Sequence, residues 1–253
     1  MTPEVRELLD SLLSRLQTVL GDRLVGLYLY GSLVMGDFDP DISDVDLMAA
    51  TSGVLNDSQF RALDEMHRQI MSERPRWNGR IEIAYISLDA LRTFKTKASQ
   101  IAIISPGEPF HFKEAGEDWL INWYLVREKG ITLYGPPPHE IIEPMTKDEY
   151  VQAVREQAFA WRDWIEGDFD RPYQGYAIIT LCRALYTHVH GEQVSKQAAA
   201  QWAKGQLPEW SWLIDEAVRW REAAVEDSTK IDHAATMPIT RRFVNDVIDR
   251  IWG

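Results

Sequence analysis

The sequence predicts an α+β chain of two domains, a strand-bearing one over residues 1–145 and an almost wholly helical one over 146–253. Three observations carry this. Short apolar runs with strand character recur between helical stretches up to residue 134. Gly135-Pro-Pro-Pro138 and Pro144 then break the pattern. Beyond them nearly every segment has helical spacing, with Pro172, Gly191, Gly205 and Pro208 as punctuation.

In order, Val5, Leu8, Leu9, Leu12, Leu13, Leu16 and Leu20 recur at helical spacing and predict a first helix over 3–20. Gly21-Asp22 ends it, and Leu24 to Tyr30 follows as an apolar strand ending in Gly31-Ser32. The turn-forming stretch Gly36–Asp41 leads to a second strand that carries Asp44 and Asp46. Asn56-Asp-Ser58 caps a helix to about Ser72, Trp77-Asn-Gly79 turns, and Arg80 to Ser87 is a third strand. A helix over 117–128 and a short apolar piece over 131–134 complete the first domain. In the second, helices are expected over 147–166, 173–190, 195–204, 210–226 and 240–252.

At 253 residues the chain can bury two modest cores. It has one cysteine, Cys182, so no internal disulfide is possible and a reducing cytoplasm is expected. No run approaches the length of a membrane span, and the N-terminus shows no signal pattern, so no membrane partner is expected. The formal net charge of −12 repels polyphosphate backbones and attracts cations. A cationic small molecule suits that field better than nucleic acid.

Side chains two apart on a strand share a face, so Asp44 and Asp46 project together. Two carboxylates on one rigid edge suit Mg²⁺, which is held by one or two carboxylates plus substrate phosphates. Gly31-Ser32 can offer backbone N–H groups and a hydroxyl to those phosphates. Glu82 stands in the otherwise apolar run Ile81-Glu-Ile-Ala-Tyr-Ile86, where an inward carboxylate requires a partner, a hydrogen bond or a metal. If the third strand lies beside the second, Glu82 joins the two aspartates and can take a proton from an attacking hydroxyl.

Gly31-Ser32, Asp44-x-Asp46 and Glu82 resemble the signature of the nucleotidyltransferase superfamily with the DNA polymerase β type fold. The stretches Ile179–Thr187 and Val194–Trp202, continuing to Leu207-Pro208, resemble the helical domain of the bacterial aminoglycoside 3″-adenylyltransferases. The resemblance implies a polymerase β-like domain over 1–145, built on a small mixed sheet flanked by helices. It implies a substrate-binding helical bundle over 146–253. It also implies transfer of AMP from ATP to an aminoglycoside or aminocyclitol, with Mg²⁺. Gly31, Ser32 and Ser43 would contact ATP phosphates, Asp44, Asp46 and Glu82 would serve the metal, and Glu82 would be the general base. Arg183 and Lys196 match the family's cations toward the triphosphate, and Trp220 falls at a nucleotide-contacting tyrosine. Trp164 matches a tryptophan of the streptomycin pocket. A neighbouring family aspartate falls on Phe169, between Asp168 and Asp170, and a second falls on Tyr173. Trp119 matches a further acceptor-pocket tryptophan, with Trp123 as the competing placement. A monomer is expected. The alternatives are a same-fold enzyme acting on a lincosamide or a metabolite, and a non-catalytic antitoxin-like module.

His188 and His190 are two apart on a helix, so they do not form a zinc pair. Cys182 lies in an apolar helix and is a core filler rather than a nucleophile.

Overall fold

The first helix, α1 (Pro3–Leu20), begins where Thr2 accepts the Val5 N–H and Pro3 occupies the first turn, and it turns Leu8, Leu12 and Leu16 fully inward. The structure is a computed structural model, and it describes residues 1–116, 119–222 and 232–253. The chain divides into two compact units, Met1–Met145 and Thr146–Gly253.

In the first unit the strands are β1 (Leu24–Tyr30), β2 (Val45–Thr51), β3 (Ile81–Ser87), β4 (Ser99–Ser105), β5 (Glu108–Ala115) and β6 (Ile131–Tyr134). They form one sheet in the order β5-β4-β3-β2-β1-β6. It is mixed: β2 and β3 run parallel, and the other neighbouring pairs are antiparallel. The helices of this unit are α1, α2 (Ser32–Met35), α3 (Asp57–Glu73), α4 (Leu88–Thr93), α5 (Leu120–Lys129) and α6 (Pro138–Ile141). The parallel pair is joined by α3, as a crossover requires. That helix starts on a capping box between Asn56 and Gln59.

Register divides the strand residues into two faces. Leu29, Leu47, Ile83 and Ile104 align across four strands, and they bury themselves with the apolar sides of α1 and α3. Burial of each such side chain contributes about 1.5–3 kcal/mol. The other face carries Tyr30, Asp46 and Glu82 in one row.

The sequence reading omitted β4 and β5, whose alternating runs flank a Pro106-Gly107 turn. It placed a helix over 117–128. The observed α5 starts at Leu120, and residues 117–118 lie outside the described residues.

The core between sheet and α3 holds one imidazole. His67 Nε2 is 2.8 Å from the Tyr85 hydroxyl, and the ring packs against Phe110. Burial pushes its pKa down from 6.5 to about 4. Between those values the unfolded chain binds a proton at position 67 that the folded chain refuses, so stability falls as pH falls through this window. At about 1.4 kcal/mol per unit the loss approaches about 3 kcal/mol by pH 4. Denaturant titrations of the native chain and His67→Gln should show the stability gap between them shrinking by about that amount from pH 7 to pH 4. A gap that stays constant would show that His67 does not titrate with folding.

In the second unit the helices are α7 (Lys147–Trp164), α8 (Arg171–His190), α9 (Lys196–Gln206), α10 (Ser211–Glu222) and α11 (Met237–Trp252). Thr146 and Glu149 form a capping box on α7, Asp170 caps α8 and Ser195 caps α9. The expected helix over 210–226 begins at Ser211 after a short turn, and its residues 223–226 lie outside the described residues. Helix α8 packs on the other four. Its Gly175 passes so close to α10 that a Cβ there would meet the Ala217 carbonyl at 2.7 Å. The fully buried Gln174 donates to the Phe169 and His233 carbonyls and accepts from the Thr236 and Thr240 hydroxyls, so its amide is satisfied. Cys182 is fully buried, and burial pushes its thiol up to about 12, in keeping with a core role. Among the described residues no helix is long and apolar enough to cross a membrane.

Candidate active site

Strand register builds the site. Tyr30 pairs with Asp46 and Asp46 with Glu82, so three polar side chains cross β1, β2 and β3 as neighbours on one face. The Tyr30 hydroxyl donates to Glu82 Oε1 at 3.1 Å. Ser105 of β4 also hydrogen-bonds the Glu82 carboxylate, and the Lys113 ammonium attracts it. Against these, burial and the nearby negative charge of Asp44 act in the other direction, and the Glu82 pKa is raised above the ordinary carboxylate value. Tyr30 is itself held well above the usual phenol range, by burial first and then by the charges of Glu82 and Asp46.

The turn after β1 completes this corner. Gly31 has φ +70°, a left-handed conformation, and the Asp46 carboxylate lies over the position a Cβ would take. The Ser32 hydroxyl is buried and has no hydrogen-bond partner among the described residues. Asp44 differs from expectation. It stands one residue ahead of β2 rather than within it, so strand alternation does not set its direction. Its neighbour Ser43 closes a small loop: the Ser43 hydroxyl accepts the Asp39 N–H at 2.9 Å, and Ser43 N–H donates to the Asp39 carbonyl at 2.9 Å.

Trp119 is buried beside Trp123, with the Lys113 ammonium 5.3 Å from its ring centre. Among the described residues no group of three or more His, Cys, Asp or Glu side chains forms a ready metal-binding cluster.

In the second unit Trp164, Asp168, Asp170 and Tyr173 lie around the junction of α7 and α8, while Arg183, Lys196 and Trp220 stand on α8, α9 and α10. Trp164 is 48% exposed and meets Trp161 edge-on at 5.4 Å. Phe169 stacks on Tyr173 at 4.3 Å, and Tyr173 and Tyr176 lie beside Trp161. Asp170 spends its carboxylate on the Tyr173 N–H, as a helix cap. The Asp168 side chain is 91% exposed and lies 3.9 Å from Arg241. Arg241 itself donates to the Ile165, Glu166 and Gly167 carbonyls and so ties down the segment after α7. Tyr176 and Arg183 are seven apart on α8 and share a face. Lys196, the first residue of α9, holds its ammonium 5.8 Å from the Tyr176 ring centre. Trp220 is 7% exposed, with the Arg171 guanidinium 5.7 Å from its ring centre.

Sequence reasoning missed Tyr30, Ser105 and Lys113 around Glu82, and Tyr176 in the aromatic cluster. Tyr30 was accessible, because alternation back from Gly31 puts it on the face of Asp46 once β1 and β2 pair. Ser105 and Lys113 were not, since they lie on the two omitted strands.

The sheet thus sets two carboxylates, Asp46 of β2 and Glu82 of β3, on neighbouring strands beside the Gly31 turn. Residues 140–246 match the family model described as the aminoglycoside adenylyltransferase C-terminal domain. Similar curated proteins include an aminoglycoside (3″)(9) adenylyltransferase of Shigella flexneri, 25% identical over 217 residues, covering 81% of this chain and 80% of the relative. A spectinomycin 9-adenylyltransferase of Campylobacter jejuni is 27% identical over 223 residues, covering 81% of each. The fold is shared with the crystal structure of spectinomycin adenyltransferase AAD(9) from Enterococcus faecialis with ATP and spectinomycin. That match has a TM-score of 0.76 at 20% identity and covers 98% of this chain and 99% of the other. The chain thus matches the aminoglycoside adenylyltransferase C-terminal domain over residues 140–246, and over most of its length it is similar to curated aminoglycoside and spectinomycin adenylyltransferases.

Proposed function

We propose that the chain transfers AMP from ATP to a hydroxyl of an aminoglycoside or aminocyclitol of the streptomycin or spectinomycin class and releases pyrophosphate. The observation that carries this is the Tyr30–Asp46–Glu82 row beside Gly31 and the unpartnered Ser32 hydroxyl, in a chain whose relatives bear that activity in their names. Residues 1–145 are the nucleotidyltransferase domain and 146–253 the helical substrate-binding domain.

The buried Ser32 hydroxyl without a partner suits a phosphate oxygen, and Gly31 leaves room for Asp46 to lie flat against the turn. With no three-ligand cluster among the described residues, Asp44 and Asp46 would hold Mg²⁺ together with substrate phosphates, with Glu82 close by. When bound, it neutralises the triphosphate and activates the α-phosphorus. Ser43, Arg183 and Lys196 contribute further contacts to ATP, and Trp220 is assigned to the nucleotide as in the family. A planar fork and a point charge both suit phosphate.

Glu82, held by the Tyr30 hydroxyl on Oε1 and by Ser105, presents its carboxylate to the acceptor hydroxyl. It takes the hydroxyl proton as the acceptor oxygen bonds to the α-phosphorus. The bond from that phosphorus to the bridging oxygen of pyrophosphate breaks, and pyrophosphate departs with the electron pair. The exposed Trp164, Asp168 and Asp170 and the half-buried Tyr173 offer aromatic faces and carboxylates to a polycationic acceptor, and Trp119 is assigned to the acceptor by the resemblance. The net charge supports a cationic partner over nucleic acid. We place the protein in the cytoplasm, as a monomer.

The test is pyrophosphate release from Mg-ATP across streptomycin, spectinomycin and several lincosamides. Release is expected with one or both of the first two. Release with lincosamides alone would move the acceptor class, and none with any acceptor would remove the reading.

A further inference from the structure

We infer that Arg80 is a positioning residue that sets the direction of the Asp44 side chain by holding the peptide groups on both sides of it. The inference rests on the reading of Asp44 as a holder of the nucleotide's Mg²⁺. Arg80 stands just ahead of β3 as Asp44 stands just ahead of β2, in a parallel pair where Val45 faces Ile81. The Val45 N–H donates to the Arg80 carbonyl at 2.9 Å, one step beyond the strand ladder. The Arg80 side chain then turns back, and Nε (3.1 Å) and Nη2 both donate to the Ser43 carbonyl.

One residue therefore bonds the peptide before Asp44 with its side chain and the peptide after it with its backbone. The only soft backbone torsions between two planar peptides are the φ and ψ of the residue between them. Holding both planes fixes the Cα–Cβ direction of Asp44, which strand pairing does not do at this position. The guanidinium is itself anchored: its Cζ lies 5.1 Å from the ring centre of the buried Trp77, a cation–π contact. A functional carboxylate has to be held within about 0.5 Å of its productive place by neighbours that are themselves locked. Arg80 meets that requirement from outside the site, and neither its charge nor its donors need touch the substrate.

The experiment compares Arg80→Met, which keeps an unbranched apolar stem and loses every side-chain donor, with Arg80→Lys, which keeps one donor group. Calorimetry measures binding of Mg-ATP, and of ATP with EDTA, to the full chain without acceptor, alongside the melting temperature. Arg80→Met should weaken Mg-ATP binding about tenfold, as expected for a lost charge-assisted bond. Its affinity for metal-free ATP should match the native chain, and Arg80→Lys should recover part of the loss. A purely structural role would weaken both forms of the nucleotide together. Arg80→Met that binds Mg-ATP like the native chain, or that loses both forms equally, overturns the inference. If Arg80→Met does not fold, Arg80→Lys decides alone: weaker Mg-ATP with unchanged metal-free ATP supports the inference, and no difference overturns it. A native chain that binds no Mg-ATP overturns instead the reading on which the inference rests.

Discussion

Glu82→Gln is expected to lower adenylyl transfer by about 10²–10⁴-fold, the range a positioned general base supplies, while nucleotide binding stays close to native. The substitution preserves shape. A glutamine carbonyl can still accept the Tyr30 hydroxyl that now meets Oε1 at 3.1 Å, so the side chain stays in its row beside Asp46. What disappears is the ability to take a proton. Burial and the charge of Asp44 already raise the Glu82 pKa, so its charged form is held against an opposing field. Removing that charge should leave the melting temperature unchanged or slightly higher, which separates a chemical loss from a folding defect. Single-turnover rates with saturating Mg-ATP and acceptor, set beside calorimetric ATP affinity, measure both halves. Turnover within a few fold of native would remove Glu82 from the base role. A parallel collapse of ATP affinity would make it a binding residue instead.

Much of the fold and site was legible because the governing signals are local. Apolar spacing at residues 5, 8, 12 and 16 sufficed for α1, and Asn56-Asp-Ser58 announced the start of α3. Glu82 was legible as a charge out of place in an apolar strand. The pairing of β2 with β3 then turned that oddity into adjacency with Asp46. The omitted β4 and β5 show where local signals weaken. Their alternating residues are diluted by Lys113 and Glu114, and only pairing along the sheet makes the strands evident. That omission concealed Ser105 and Lys113, both of which act on Glu82. Asp44 was placed in a strand because i, i+2 spacing implies one. The ladder begins one residue later, and a long-range bond from Arg80 does the orienting instead. In the second unit the caps at Thr146, Asp170 and Ser195 fall at helix starts. The Asp170 cap shows how one residue type serves two physical ends. A carboxylate expected to face the acceptor is here engaged by a backbone N–H.

Gly31→Ala is expected to abolish activity, and its effect should exceed that of any other single methyl added to this corner. Two independent constraints meet at the residue. Its φ of +70° lies where a Cβ costs about 1–2 kcal/mol on its own. The added carbon would also stand 1.8 Å from Asp46 Oδ2 and 2.6 Å from its Cγ, so something has to move. The backbone can relax toward negative φ, which pulls Ser32 and its buried hydroxyl out of place. Otherwise the Asp46 carboxylate swings away, which breaks its alignment between Tyr30 and Glu82. Either route displaces a group assigned to the nucleotide, so Mg-ATP affinity and turnover should fall together, unlike the split expected for Glu82→Gln. Asp46→Asn, which removes charge without crowding, serves as the comparison. Because the crowding atom is the end of a side chain at the rim of the sheet rather than core backbone, the fold should survive with a modest drop in melting temperature. Calorimetric titration of Mg-ATP with a thermal melt of the same sample reads both quantities. Native-like ATP affinity in Gly31→Ala would mean that the turn and Asp46 are not part of the nucleotide site.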